Sequence, residues 1–284
     1  MPDLSLKRTL ASLVLPCLFL SACSTVNQNL MKQASVESRK SLAAGDFQKA
    51  LDGFKGATKK NPRSKELKEN YIRTVEEIKR TADRALGQRD FARASNIYRV
   101  LLNNYASFGG FTAKLTFNKS YLETSLKNCR IGIVDGQAQE DLKRGDLAKV
   151  LETHQAALKE HPGDAGWAAS YVRAVQAIKA VGDKALADQD FAHAGRVNVF
   201  LLKNFPSFEG LRPPVAFSRG TLSEAIAVCR DGLTKAGLEE YRKGNLAKAI
   251  AVWEDLLAFD PANVEIRNAV ETARTQLNKI IKKK

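Results

Sequence analysis

Few side chains in this chain of 284 residues are able to do covalent or metal chemistry. There are four cysteines (Cys17, Cys23, Cys129 and Cys229) and three histidines (His154, His161 and His193). No CxxC pair, HExxH, nucleophile elbow or phosphate loop occurs among them. His154 takes a helical position that Phe54 and Trp253 hold in related segments, which points to packing. His161 adjoins Pro162 in a turn, and His193 replaces Arg93 on a solvent-facing position. Glu76, Glu77 and Asp83 fall on a long polar helix and need no catalytic role. No catalytic residue, cofactor or metal ligand is expected, and the chain reads as non-enzymatic. One thiol stands apart: Cys23 ends a short apolar run and follows the small residues Ser21 and Ala22.

That run has a recognisable order. Lys7 and Arg8 precede residues 9–20 (TLASLVLPCLFL), a stretch about the length of a signal-peptide core. It is shorter than the roughly 20 residues that span a bilayer. Leu20-Ser21-Ala22-Cys23 then resembles the bacterial lipobox. The resemblance implies that the Cys23 thiol receives a diacylglycerol, that residues 1–22 are removed, and that Cys23 becomes the acylated first residue. Several acyl chains, palmitate among them, exceed the two signals that stable anchoring requires. An ordinary cleaved signal peptide and an uncleaved anchor are the other readings of the same run. Ser24, where retention signals place Asp, resembles the outer-membrane default. The expected address is the periplasmic face of the outer membrane, with the inner membrane as the alternative. Residues 23–33 form a lipidated tether, and the ten or so residues from Ser24 reach at most roughly 35 Å.

The formal net charge is +14, and +13 without residues 1–22, which carry Lys7, Arg8 and Asp3. An exported chain does not meet nucleic acid, so the counterparts of this charge are anionic lipid, peptidoglycan, an acidic protein or solvent alone. Cys129 and Cys229 occupy matching points of an internal duplication, where the repeat translation exceeds the reach of a disulfide, and read as small buried hydrophobes, with a structural disulfide as the other reading.

The duplication is plain. Residues 81–108 (TADRALGQRDFARASNIYRVLLNNYASF) and 181–208 (VGDKALADQDFAHAGRVNVFLLKNFPSF) share twelve of twenty-eight positions without a gap. The match extends to Tyr71/Tyr171, Arg73/Arg173, Phe117/Phe217, Leu122/Leu222 and Cys129/Cys229. Copy 1 covers 34–130 and copy 2 covers 131–230, followed by a C-terminal unit with a closing helix over 231–284.

A shorter motif recurs five times. Asp46-Phe47, Asp90-Phe91, Asp146-Leu147, Asp190-Phe191 and Asn245-Leu246 each precede a helical spacing of small and bulky residues. Examples are Ala50, Phe54 and Ala57, and Ala249, Trp253 and Leu256. Gly45, Gly145 and Gly244 can end one helix, and the Asp or Asn can cap the next. Pro62, Pro162 and Pro261 close the second helix, and Ser64, Asp164 and Asn263 can cap a further one. Such a helix pair cannot bury its apolar face alone and must stack on copies of itself.

These small, aromatic, small and Pro positions resemble the tetratricopeptide repeat. The resemblance implies an all-α solenoid of stacked antiparallel helix pairs. The turns lie 44 residues apart within a copy (Phe47 to Phe91) and 56 across the join (Phe91 to Leu147), longer than the family period of about 34. Part of the excess is expected in long helices near 64–87 and 164–187.

Two loops, 105–117 (YASFGGFTAKLTF) and 205–217 (FPSFEGLRPPVAF), hold the remaining apolar residues. They read either as presented binding loops or as plugs that fold back over a helix pair. The repeated Ser107-Phe108 and Ser207-Phe208 favour plugs. By resemblance to lipoproteins of this kind, the expected role is a protein–protein interaction scaffold in a cell-envelope machine. The expected partners are an envelope protein, bound through the helical groove or these loops, and the membrane through Cys23. A basic tether to peptidoglycan or anionic lipid is the other reading.

Overall fold

The computed structural model describes residues 32–282; Cys23, the lipobox-like run and most of the tether lie outside these residues. Among the described residues there are eleven α-helices and no strand. They are α1 (32–43), α2 (Phe47–Lys60), α3 (Lys65–Gly87), α4 (Phe91–Asn104), α5 (Lys119–Lys143), α6 (Leu147–Glu160), α7 (Ala165–Ala187), α8 (Phe191–Asn204), α9 (Arg219–Arg242), α10 (Leu246–Leu257) and α11 (Val264–Ile281). Consecutive helices pack on one another as antiparallel pairs, so the chain is an all-α helical-repeat fold. It divides into two compact units, with the boundary inside α5 between Ile133 and Val134.

Each short turn is built the same way. The residue before the motif Asp adopts positive φ: Gly45 at 77°, Gly145 at 78° and Gly244 at 80°. Arg89 and Gln189 do so at 61°, without the glycine that usually makes this conformation cheap. The next residue sends its backbone N–H back five residues: Asp46 to the Ser41 carbonyl at 2.8 Å, and Asp190 to the Ala185 carbonyl at 2.8 Å. The same Asp then accepts from the following helix. Lys49 donates to Asp46 at 3.1 Å, Arg93 to Asp90 at 3.1 Å, Lys149 to Asp146 at 3.2 Å and His193 to Asp190 at 3.0 Å. Asn245 departs from the expected capping. Its side chain makes no cap and instead donates to Glu240 Oε2 at 2.8 Å, because an amide has N–H groups that a neighbouring carboxylate can claim. Ser64, Asp164 and Asn263 cap α3, α7 and α11 as their spacing after proline implied.

The long helices expected near 64–87 and 164–187 are α3 and α7, at 23 residues each, and α5 and α9 are as long, at 25 and 24. Of these, α3 and α7 supply the floor of each core. In the first unit Tyr71, Val75 and Ile78 pack against Leu51, Phe54 and Leu101. In the second, Tyr171, Val175 and Ile178 meet Leu151, Val197 and Leu201. A further cluster joins Cys229, Leu233, Trp253 and Phe259. Each fully buried side chain of this size contributes roughly 1.5–3 kcal/mol.

The motif phenylalanine is seated against a glycine of the following long helix. A Cβ at Gly132 would lie 2.6 Å from the Phe91 ring, and one at Gly232 would lie 2.5 Å from the Phe191 ring. Gly136, a turn further along α5, has open space around it. Gly132→Ala and Gly232→Ala are therefore expected to lower unfolding stability by about 1–3 kcal/mol through overpacking. Gly136→Ala is expected to be neutral, or to stabilise by up to about 1 kcal/mol through helix propensity. Urea unfolding followed by circular dichroism measures all three. Equal effects at Gly132 and Gly136 would refute the close-packing account.

Candidate functional site

The plug loops position the chemistry of each unit. Phe108 and Phe208 are fully buried, and Tyr71 and Tyr171 lie beside them with edge-on rings at 5.9 and 6.5 Å. Ser107 and Ser207 donate to the Asn104 and Asn204 carbonyls at 2.6 and 2.7 Å. Their oxygens also lie 3.4 and 2.9 Å from the Tyr71 and Tyr171 hydroxyls. The shared Ser-Phe pair is thus a plug in both copies. Short 3-10 turns, Tyr105–Phe108 and Phe205–Ser207, carry it. The first loop has an additional clamp. Thr116 donates its backbone N–H and its hydroxyl to the Glu76 carboxylate at 2.6 and 2.7 Å.

His154 is buried, as its register with Phe54 implied. It stacks on Tyr171 at 6.0 Å and 16°, while Phe54 stacks on Tyr71 at 5.8 Å and 15°. Its polar atoms require partners that Phe54 does not. Nδ1 lies 2.8 Å from the Val150 carbonyl, which only accepts, so Nδ1 carries a proton. Nε2 lies 3.4 Å from Asp135 Oδ1. Ser170 donates to the same Oδ1, and Arg173 donates to Oδ2 at 2.6 Å. A serine, a histidine and an aspartate therefore meet, but not as a catalytic triad. Ser170 gives its proton to the carboxylate rather than to the imidazole, so nothing activates its oxygen. The cluster is an ion-paired packing node. In the first unit the matching residues Ser35, Phe54, Asn70 and Arg73 line a cavity of about 220 Å³ instead.

The other sequence candidates are dispersed. His161 stacks on Trp167 at 5.3 Å, and the His193 backbone is held by its helix cap. Cys129 and Cys229 are buried free thiols; burial pushes both up from the usual thiol range, with the Asp190 charge adding to it at Cys229. Both are consequently poor nucleophiles. Among the described residues no three His, Cys, Asp or Glu side chains converge as metal ligands would, and no helix is long and apolar enough to cross a membrane.

The candidate binding site lies in the second unit. A cavity of about 600 Å³ opens between α6, α7 and the 205–217 loop. Leu158, Ala168 and Leu211 line it, with Gln155, Lys159 and Arg212 as polar neighbours. Gln155 donates to the Tyr171 hydroxyl at 2.9 Å, tying the site to the plug. Its size is that of an ordinary ligand pocket, mostly apolar with few polar groups. Neither this cavity nor Asp135 was singled out in the sequence. A signal for Asp135 existed: a histidine in an aromatic core slot needs a hydrogen-bonding partner on the adjacent helix.

No family model matches the chain, and no curated protein matches it. Among solved structures it is similar to a circular tandem repeat protein with novel repeat topology and enhanced subunit contact surfaces. That likeness has 12% identity and a TM-score of 0.21, over 91% of this chain. The chain spans 65% of the length of that structure.

Burial opposes charge on Asp135, but the contact with His154 Nε2 and the hydrogen bonds from Ser170 and Arg173 outweigh it and hold the carboxyl at about 2. An unfolded aspartate titrates near 3.9. The folded value is the lower one, so the stabilisation is complete above about pH 4 and is lost as pH falls toward 2. Asp135→Asn is expected to cost about 2 kcal/mol at neutral pH and to flatten the acid limb between pH 4 and 2. Urea unfolding across that range checks it; a variant whose pH profile superimposes on the parent's would overturn the node.

Proposed function

We propose that this chain is a membrane-anchored periplasmic lipoprotein of tetratricopeptide-like repeats that acts as a non-catalytic scaffold for protein–protein interaction. Its place is in a cell-envelope assembly or export machine, and its anchor is an acylated Cys23 at the outer membrane. The observation that carries this reading is the order of the chain. A lipobox-like run and a short tether precede a body made of stacked helix pairs. Such pairs present continuous helix faces and pockets to peptides and partner proteins. The plug loops support a role for the surfaces they brace rather than for their own aromatic rings, since Phe108 and Phe208 are buried. The fold hosts many functions, so the partner must be found by experiment.

The test is in-cell crosslinking followed by recovery from membranes at low salt and at about 1 M salt, where the Debye length is about 3 Å. A defined protein partner that survives high salt is the expected result. Recovery of only peptidoglycan or lipid, lost at high salt, would replace the scaffold with an electrostatic tether. Cys23→Ala is expected to move the chain from the membrane to the soluble fraction; if it stays membrane-bound, the anchor is wrong.

A further inference from the structure

The two copies superpose in sequence with a constant offset of one hundred residues, so the first unit is an internal reference for the second. Around the 600 Å³ cavity the shared residues are those that brace it: Lys59/Lys159, Pro62/Pro162, Tyr71/Tyr171, Ser107/Ser207 and Gly110/Gly210. The residues that differ shrink together. Arg63, Lys65, Lys68 and Phe111 of the first copy correspond to Gly163, Ala165, Ala168 and Leu211 of the second, all four of which line the cavity. Two more change character: Thr58 becomes Leu158 and Thr112 becomes Arg212. At this place the second unit carries smaller and more apolar side chains than the first, and its lining cations are Lys159, matched by Lys59, and Arg212, which the first copy lacks.

The first unit shows what such a place accepts. Phe111 sits there with its ring 5.1 Å from Tyr71 and 5.8 Å from Phe108, and it is only 8% exposed. Leu211, shorter than phenylalanine, leaves an open cavity where the first unit supplies its own ring. The charged residues that line this cavity are Lys159 and Arg212, and no Asp or Glu is among them. Among the described residues neither cation is in an ion pair, and the Arg212 guanidinium donates to the Leu211 carbonyl at 3.1 Å. A carboxylate arriving at this mouth meets two cations among the lining residues.

We propose that this cavity is a recognition pocket for an aromatic side chain flanked by acidic residues on a partner peptide. The ring enters the hollow outside Leu211, and the flanking carboxylates pair with Lys159 and Arg212. This deepens the scaffold reading by naming the chemistry of its partner, and it rests on that reading.

The experiment titrates the full chain, kept in detergent, against a fluorescein-labelled peptide with an Asp-Phe-Asp core in Gly/Ser arms. Anisotropy reports the affinity. Replacing the core Phe with Ala, or the two Asp with Lys, is expected to weaken binding by at least about ten-fold. Leu211→Phe installs the first copy's own residue and is expected to weaken it by a similar factor. Ala168→Lys does the same from the opposite wall, should Leu211→Phe disturb the fold. Phe111→Leu, in the first unit, is expected to leave the affinity unchanged. A peptide that binds no better than its Ala version would overturn the pocket, as would equal binding to the parent and both filled variants. If crosslinking in cells still captures a salt-resistant protein partner, that failure falls on the pocket alone. Peptide binding without any such partner would instead count against the scaffold.

Discussion

One aspartate serves two helices at four of the five short turns, and the packing of the pairs follows from that. Its backbone N–H closes the helix behind it through a bond five residues back, and its side chain opens the helix ahead. The two jobs fall on one residue, so the connection has no slack. The exit of one helix and the entry of the next are set together, which brings their apolar faces into contact. The turn tolerates Arg89 and Gln189 at positive φ because the surrounding bonds over-determine the backbone there. At Asn245 the backbone half of the device persists at 2.9 Å while the side-chain half is lost, and α10 still forms. The side-chain cap is therefore dispensable at that turn.

The residue after that aspartate carries the constraint into the core. Phe91 and Phe191 lie against Gly132 and Gly232, where only hydrogen leaves room for the ring. An aromatic knob and a glycine hollow meet at the same offset in both copies. This long-range contact anchors the helix pair to the helix that follows the plug loop. The loop itself is braced by Ser107 or Ser207 and sealed by Phe108 or Phe208. Residues held in common by the copies are, in this sense, the framework.

Function is better sought where the copies part. Replacement of Phe54 by His154 brought Asp135, Ser170 and Arg173 into a satisfied polar node. That node is structural, because the Ser170 hydroxyl proton is committed to a carboxylate and the His154 Nδ1 proton to a carbonyl. The other divergence is of the opposite kind. Four long or bulky side chains became small, and the space was left open. Of the four, Arg63, Lys65 and Lys68 are exposed in the first copy and only Phe111 is packed, so the space to explain is the one its ring fills, where a void forfeits contacts on its walls. A void that is kept at one place, with cations at its rim, has the character of a site.

The turn chemistry, the limits of the helices flanking those turns and the duplication were legible in the sequence, whereas α5 and α9, the longest helices at 25 and 24 residues, were not. Capping at Asp46 or Ser64 and termination near Pro62 depend on residues three to five positions apart, and a chain carries such information locally. The fate of Phe108 and Phe208 was legible only through repetition, as a choice between presentation and burial. Asp135 and the cavity were not legible. Asp135 meets Ser170 and Arg173 across 35 and 38 positions. The hollow at Leu211 depends on what α6 and α7 fail to place beside it. The sequence by itself determined where the helices flanking the short turns and the proline turns begin and end, because those decisions are made by hydrogen bonds within a turn or two. Only the tertiary structure decided which buried polar groups find partners and which space stays empty, because both depend on distances between helices far apart in the chain.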